Sequence, residues 1–191
     1  TRDEDNVSGA LTRDPASDAL VFALGTSKSF RVGRKTPADA GFTLSARPVR
    51  GTAYLPRSLA SYGGRITVSA RQIQPANGPE SSGPPVLLSG ASPATVGGAI
   101  PVPRARAIDH PPLVYAQSPT RVLLAWTWNS FRAQSQGAWT AWRTYVPGVG
   151  ASISTPLRVT ASAYDRLAGI AVDRGGRAYI LVNRQAPILP D

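Results

Sequence analysis

The sequence predicts an all-β protein, and three observations carry that expectation. Gly and Pro contribute 18 residues each to a chain of 191, a load of helix breakers that favours short strands joined by turns. Short apolar runs alternate along most of the chain with turns rich in Asp, Pro, Ser and Gly. Four segments share one pattern: an apolar run, a polar or glycine turn, then a second apolar run.

The first segment is ALTRDPASDALVFAL, Ala10 to Leu24, turning at Asp14-Pro15-Ala16-Ser17-Asp18. The second is SLASYGGRITVSA, Ser58 to Ala70, turning at Gly63-Gly64. The third is LVYAQSPTRVLLAWTW, Leu113 to Trp128, turning at Ser118-Pro119-Thr120. The fourth is LAGIAVDRGGRAYILV, Leu167 to Val182, turning at Asp173-Arg174-Gly175-Gly176. Leu59, Leu113 and Leu167 open their segments at steps of 113 − 59 = 54 and 167 − 113 = 54. Further strand-like stretches follow each of the first three hairpins: Phe30 to Arg34 and Phe42 to Val49, Pro85 to Ser89 and Ala99 to Ile108, Ala138 to Val146 and Ile153 to Thr160. Each unit therefore reads as four short strands, with units at 9–57, 58–111, 112–165 and, partial, 166–191. That repeat length predicts a β-propeller of about four blades within one domain, with a β-sandwich as the alternative. The stretch from Gln74 to Pro103, rich in Pro, Gly and Ser, is expected to be a long connection or an arm lying on a neighbour.

In such a stack the second strand of each blade is covered on both faces and should read as a continuous apolar run. ALVFAL at 19–24, VLLAW at 122–126 and AYILV at 178–182 do so, while Ile66-Thr67-Val68 is weaker. The turn Asp173-Arg174-Gly175-Gly176-Arg177-Ala178-Tyr179 resembles the "apolar, Asp, x, Gly-Gly, x, apolar" turn of bacterial propeller repeats of the sialidase-like (BNR) and TolB-like kinds. The Ser-x-Asp-x-Gly-x-Thr-Trp box of sialidases is absent, the nearest stretch being Ser135-Gln136-Gly137-Ala138-Trp139. The fourth unit holds only two strands, so closure is expected from 1–8, from a partner, or from further units of a larger ring.

Charge and composition limit the function classes. The chain carries 21 basic against 11 acidic residues, net +10, and 19 of the 21 are Arg, the exceptions being Lys28 and Lys35. Such a field attracts polyanions, anionic glycans before nucleic acid. The basic residues are nevertheless scattered, as the coding bias of a GC-rich genome would also leave them. Cys and Met are absent, which excludes disulfides, thiol nucleophiles and cysteine-held zinc. No apolar run is long enough for a transmembrane helix. Thr1 at the start suggests a trimmed mature form or part of something larger, and an extracytoplasmic location, secreted or on a bacterial cell surface, is expected.

Signals for chemistry are thin. The one histidine, His110 in Asp109-His110-Pro111-Pro112, has no Gly-x-Ser-x-Gly nucleophile turn to serve. Glu4 and Glu80 are the only glutamates, and Asp14, Asp18, Asp165 and Asp173 fall at turns, where their side chains have structural work. A sialidase-like site would need three arginines and a tyrosine nucleophile; Arg57, Arg121, Arg166, Tyr62, Tyr115 and Tyr164 are available near the inner strands. Asp3-Glu4-Asp5-Asn6 offers oxygen ligands without the spacing of a calcium loop. No catalytic residue, metal or cofactor is therefore assigned.

The best candidate for a binding surface is aromatic. All four tryptophans, Trp126, Trp128, Trp139 and Trp142, lie close together with Phe131 and Tyr145, interleaved by Arg132 and Arg143. Asn129 to Gly137 reads as the loop between their two strands. Trp126 and Trp128 share parity and one face, whereas Trp139 and Trp142 point to opposite faces. Exposed Trp beside Arg suits stacking on sugar rings; Trp packed between blades fills a core. The function expected is a non-catalytic binding or assembly module, whose partner is a protein, a further copy completing the ring, or an anionic glycan. A sialidase-like hydrolase and a polyanion-binding module are the alternatives.

Overall fold

The computed structural model describes residues 8–26, 29–48, 53–73, 82–103, 110–128, 137–162 and 164–184. They form strands and turns, with one 3-10 turn at Pro93–Thr95 and no α-helix among the described residues. Sheet I comprises β1 (Ser8–Arg13), β2 (Leu20–Gly25), β3 (Ser29–Lys35) and β4 (Thr43–Pro48). Sheet II comprises β5 (Ala53–Tyr62), β6 (Arg65–Ile73), β7 (Ser82–Gly90) and β8 (Gly97–Pro101). Sheet III comprises β9 (Leu113–Ser118), β10 (Arg121–Trp128), β11 (Gly137–Val146) and an outer edge split into β12 (Gly150–Ile153) and β13 (Leu157–Arg158), both pairing with β11. Sheet IV is the hairpin β14 (Asp165–Val172) and β15 (Ala178–Arg184). Every pairing is antiparallel, and all but β11 with β13 join strands that follow one another in sequence.

The four hairpins form where the turn residues demand them. Gly63 and Gly64 both take positive φ (58° and 83°), the conformation that a two-residue hairpin turn needs and that residues with a side chain resist. Asp14 accepts hydrogen bonds from Ala16 N (3.0 Å) and Ser17 N (3.2 Å), closing the first turn on its own carboxylate. Asp173 does the same for Arg177 N at 2.8 Å in the fourth.

The sheets lie in a row, with β1 beside β5, β5 beside β9 and β9 beside β14. Two apolar layers hold the row together. Val21, Ala23, Phe30 and Val32 of sheet I meet Leu59, Ile66, Val68, Ala70, Val86 and Leu88 of sheet II. Ala60, Leu87 and Val102 of sheet II meet Val114, Val122, Leu124, Trp126 and Ala141 of sheet III. The row is open: sheet IV does not close onto sheet I. The architecture is an all-β stack of four antiparallel sheets.

Several expectations change. Ile66 to Ala70 are all buried, Thr67 and Ser69 included, so the weakest-looking second strand is covered on both faces. Conversely β2 alternates, with Leu20 and Leu24 exposed, and β15 is mostly exposed. The reason is position: sheets II and III have a neighbour on each face, whereas I and IV have one. Leu59, Leu113 and Leu167 do lie on the first strands of their sheets, at different heights. Leu113 and Leu167 sit five residues before strand ends Ser118 and Val172, but Leu59 only three before Tyr62. Much of the supposed arm from Gln74 to Pro103 is β7 and β8, with Val86, Leu87 and Leu88 in the core. The expected closing segment lies outside the described residues except for Ser8, which belongs to β1.

Candidate functional site

The hairpin turns of adjoining sheets are tied at one end of the row. Asp14, fully buried, reaches from the first turn to the second and accepts from Ser61 Oγ (2.7 Å), Gly63 N (3.0 Å) and Gly64 N (2.9 Å). Burial by itself would raise its pKa; these donors, together with Ala16 N, outweigh it and hold the carboxyl below its ordinary value. Pro119 of the third turn comes up against Gly63, and Gln117 against Gly176 of the fourth. Between the turns opens a cleft of about 740 Å³, lined by residues including Pro15, Tyr62, Tyr115, Gln117, Asp173 and Arg174. A smaller recess of about 140 Å³ lies among β1, β5 and β9, with Thr12, Arg13, Ser61, Val114 and Tyr115 on its walls. The inner strands thus converge on a polar hollow that carries both tyrosines, one acid and one base.

Beside it, the aromatic residues singled out from sequence separate into different environments. Trp126 and Trp139 are register partners across β10 and β11. Trp126 is 1% exposed and Trp139 packs against the same layer between sheets II and III. Both therefore serve packing, which removes Trp126 from any sugar-stacking surface, since a large ring gains most from full burial. Trp142 points to the other face, as parity requires, and is half-buried under the Arg121 guanidinium, 4.1 Å from the ring centre. Trp128 pairs with Gly137 at the end of β10. Phe131 and Arg132 lie outside the described residues.

Arg143 and Tyr145 share a face of β11 with Trp139 and Ala141 and point toward sheet II. There Arg65, which follows the Gly63-Gly64 turn, lays its guanidinium 3.8 Å from the Tyr145 ring centre. Arg143 is 4% exposed, and its buried Nε has no hydrogen-bond partner among the described residues. Burial and the neighbouring positive charge of Arg65 both push its pKa down. Sequence reasoning marked Arg143 as a surface residue, because an arginine in a half-polar strand normally is one.

The residues considered for a hydrolytic site do not assemble into one. Tyr62 and Tyr115 share the cleft, but Arg121 stacks on Trp142, Arg57 is exposed on β5, and Tyr164 is 47% exposed. His110 is exposed, and Asp109 lies outside the described residues, as do Asp3 to Asn6. Among the described residues, no group of three or more His, Cys, Asp or Glu could hold a metal ion. No helix there is long and apolar enough to cross a membrane. Asp165 is structural: Arg184 Nε donates to it at 2.8 Å, which, with a bond from Thr160, keeps its carboxyl below the usual range. Compared with known proteins, the chain matches no family model, no curated protein and no solved structure.

Proposed function

We propose that the chain is a non-catalytic, extracytoplasmic binding and assembly module of the propeller kind, and that sheet I docks onto sheet IV of a second copy. The observation that carries this reading is the bare outer face of sheet I. Leu11, Phe22, Gly33 and Leu44 are register partners across all four strands. Leu11 is 67% exposed, Leu44 54%, Leu24 44% and Leu20 41%, while Phe42 stands edge-on to Phe22 at 5.0 Å. A contiguous apolar row of this kind, rimmed by Arg13, Arg31 and Lys35, marks an interaction surface rather than ordinary solvent-facing sheet.

Continuity with the existing interfaces argues for the occupant. Each sheet presents one face to the sheet before it and the other to the sheet after. Among the described residues sheet I lacks the former neighbour and sheet IV the latter, where Tyr179 (50%) and Leu181 (66%) are exposed. Joining IV to I extends the row by the contact it already uses, and two copies joined head to tail could close it.

Sedimentation velocity over a range of concentration tests this. Because both copies are strongly positive, association through apolar faces should strengthen as salt screens their repulsion. The double substitution L24D with L44D should leave a folded monomer at every salt concentration. A wild-type chain that stays monomeric throughout would overturn the proposal. The hydrolase alternative keeps one supporting observation, the shared cleft of Tyr62 and Tyr115; turnover of a sialoside lost in Tyr62→Phe or Tyr115→Phe would favour it instead.

A further inference from the structure

We propose that Arg143 and Arg65 form a binding site for a single tetrahedral oxyanion, a sulfate or phosphate group, at the turn-end rim between sheets II and III. The site is separate from the outer face of sheet I and does not depend on assembly. Arg143 is more than nine-tenths buried, its Nε is sealed from water, and no described residue accepts a hydrogen bond from that nitrogen. A guanidinium is never deprotonated at physiological pH, so this charge is present and must be balanced.

Proteins hold buried charges in pairs because an isolated one is costly. Here the neighbour has the same sign. Arg65 is positioned over Tyr145, whose backbone lies two residues, about 7 Å of strand rise, from that of Arg143 on the same face. The electrostatic effect of Arg65 on Arg143 is repulsive. The carboxylate that reaches the Gly63-Gly64 turn, Asp14, is already occupied by Ser61, Gly63 and Gly64. Among the described residues no acid pairs with either arginine. An oxyanion bridging the two guanidinium groups would neutralise both and accept their fork-shaped N–H donors, geometry that arginine matches better than lysine. Tyr145 holds one fork in place by cation–π contact, so little side-chain freedom remains to be lost on binding.

Inorganic sulfate and a sulfated disaccharide, each against chloride at matched ionic strength, distinguish a free ion from a sulfate ester on a sugar. The measurement is the thermal midpoint of the intact chain. Sulfate at roughly a hundred times its Kd should raise the folded-to-unfolded ratio about a hundredfold, and chloride should not. A disaccharide that acts at lower concentration than sulfate assigns the ester as the physiological group; equal or weaker action assigns the free ion. Arg143→Met, which fills the same space without charge, should abolish the sulfate effect and leave the anion-free protein as stable as wild type or more so. Arg65→Gln, on a partly exposed side chain, should weaken the effect at least tenfold in sulfate concentration. A sulfate response no greater than that of chloride, one retained in Arg143→Met, or a destabilised Arg143→Met showing that the guanidinium already has a partner, would each overturn the proposal.

Discussion

At the residue scale, Asp14 ties the first turn of sheet I to the first turn of sheet II. One buried carboxylate satisfies two backbone donors of its own turn and three donors of the next. Replacing it by Ala removes the acceptor of all five donors, and the expected loss is about 3 kcal/mol in urea unfolding. Its folded pKa, like that of Asp165, is depressed below the ordinary 3.8. The stability both groups confer is therefore complete above the unfolded value and lost as pH falls through the folded one. Acid titration of the unfolding free energy should show its steepest decline below about pH 4, and Asp165→Asn should flatten part of that decline. The sequence shows Asp14 as a turn residue, which it is; its reach to Ser61 is a distance of 47 positions along the chain and could be found only by folding.

At the element scale, the second strands show what composition can and cannot tell. β10 was legible because VLLAW is apolar at every position, and Val122 to Thr127 are indeed all buried. β6 was under-read because Thr67 and Ser69 interrupt its apolar run, yet both are buried in a strand covered on two sides. The outer edge of sheet III shows another limit. β11 is joined there by β12 and β13, and the crossing is held by Val159 N donating to Ala138 O at 2.8 Å and Ala138 N donating to Thr160 Oγ1 at 2.9 Å. Gly137 makes this approach feasible: its φ is 118°, and a Cβ there would lie 2.0 Å from the Thr160 carbonyl oxygen. Gly137→Ala should cost about 3 kcal/mol, since backbone rather than a flexible side chain must move. The loss would appear in thermal unfolding, with amide exchange first accelerated at Ala138 and Val159.

At the scale of the whole molecule, the stack is unequal along its length. Sheets II and III are clamped on two faces, and sheets I and IV on one, so local opening should begin at the ends. Hydrogen exchange is expected to be slowest in β6 and β10 and fastest in β15, whose outer edge has no described partner. Association of two copies through their end sheets would slow exchange in β2 and β15 selectively. Uniform protection across all four sheets would contradict the layered arrangement.

The amino-acid sequence by itself determined the strands, the four hairpin turns and the absence of thiol chemistry, because those depend on neighbours within a few residues: glycine at positive φ, aspartate closing a turn, apolar runs long enough for a strand. It also placed Tyr62 and Tyr115 near the inner strands, where they line the cleft. Only tertiary structure decided which faces are covered, because burial of a strand depends on what the next sheet contributes. That is why Trp126 lies in the core, Leu11, Leu24 and Leu44 stand in water, and Arg143 is shut between two sheets beside another positive charge.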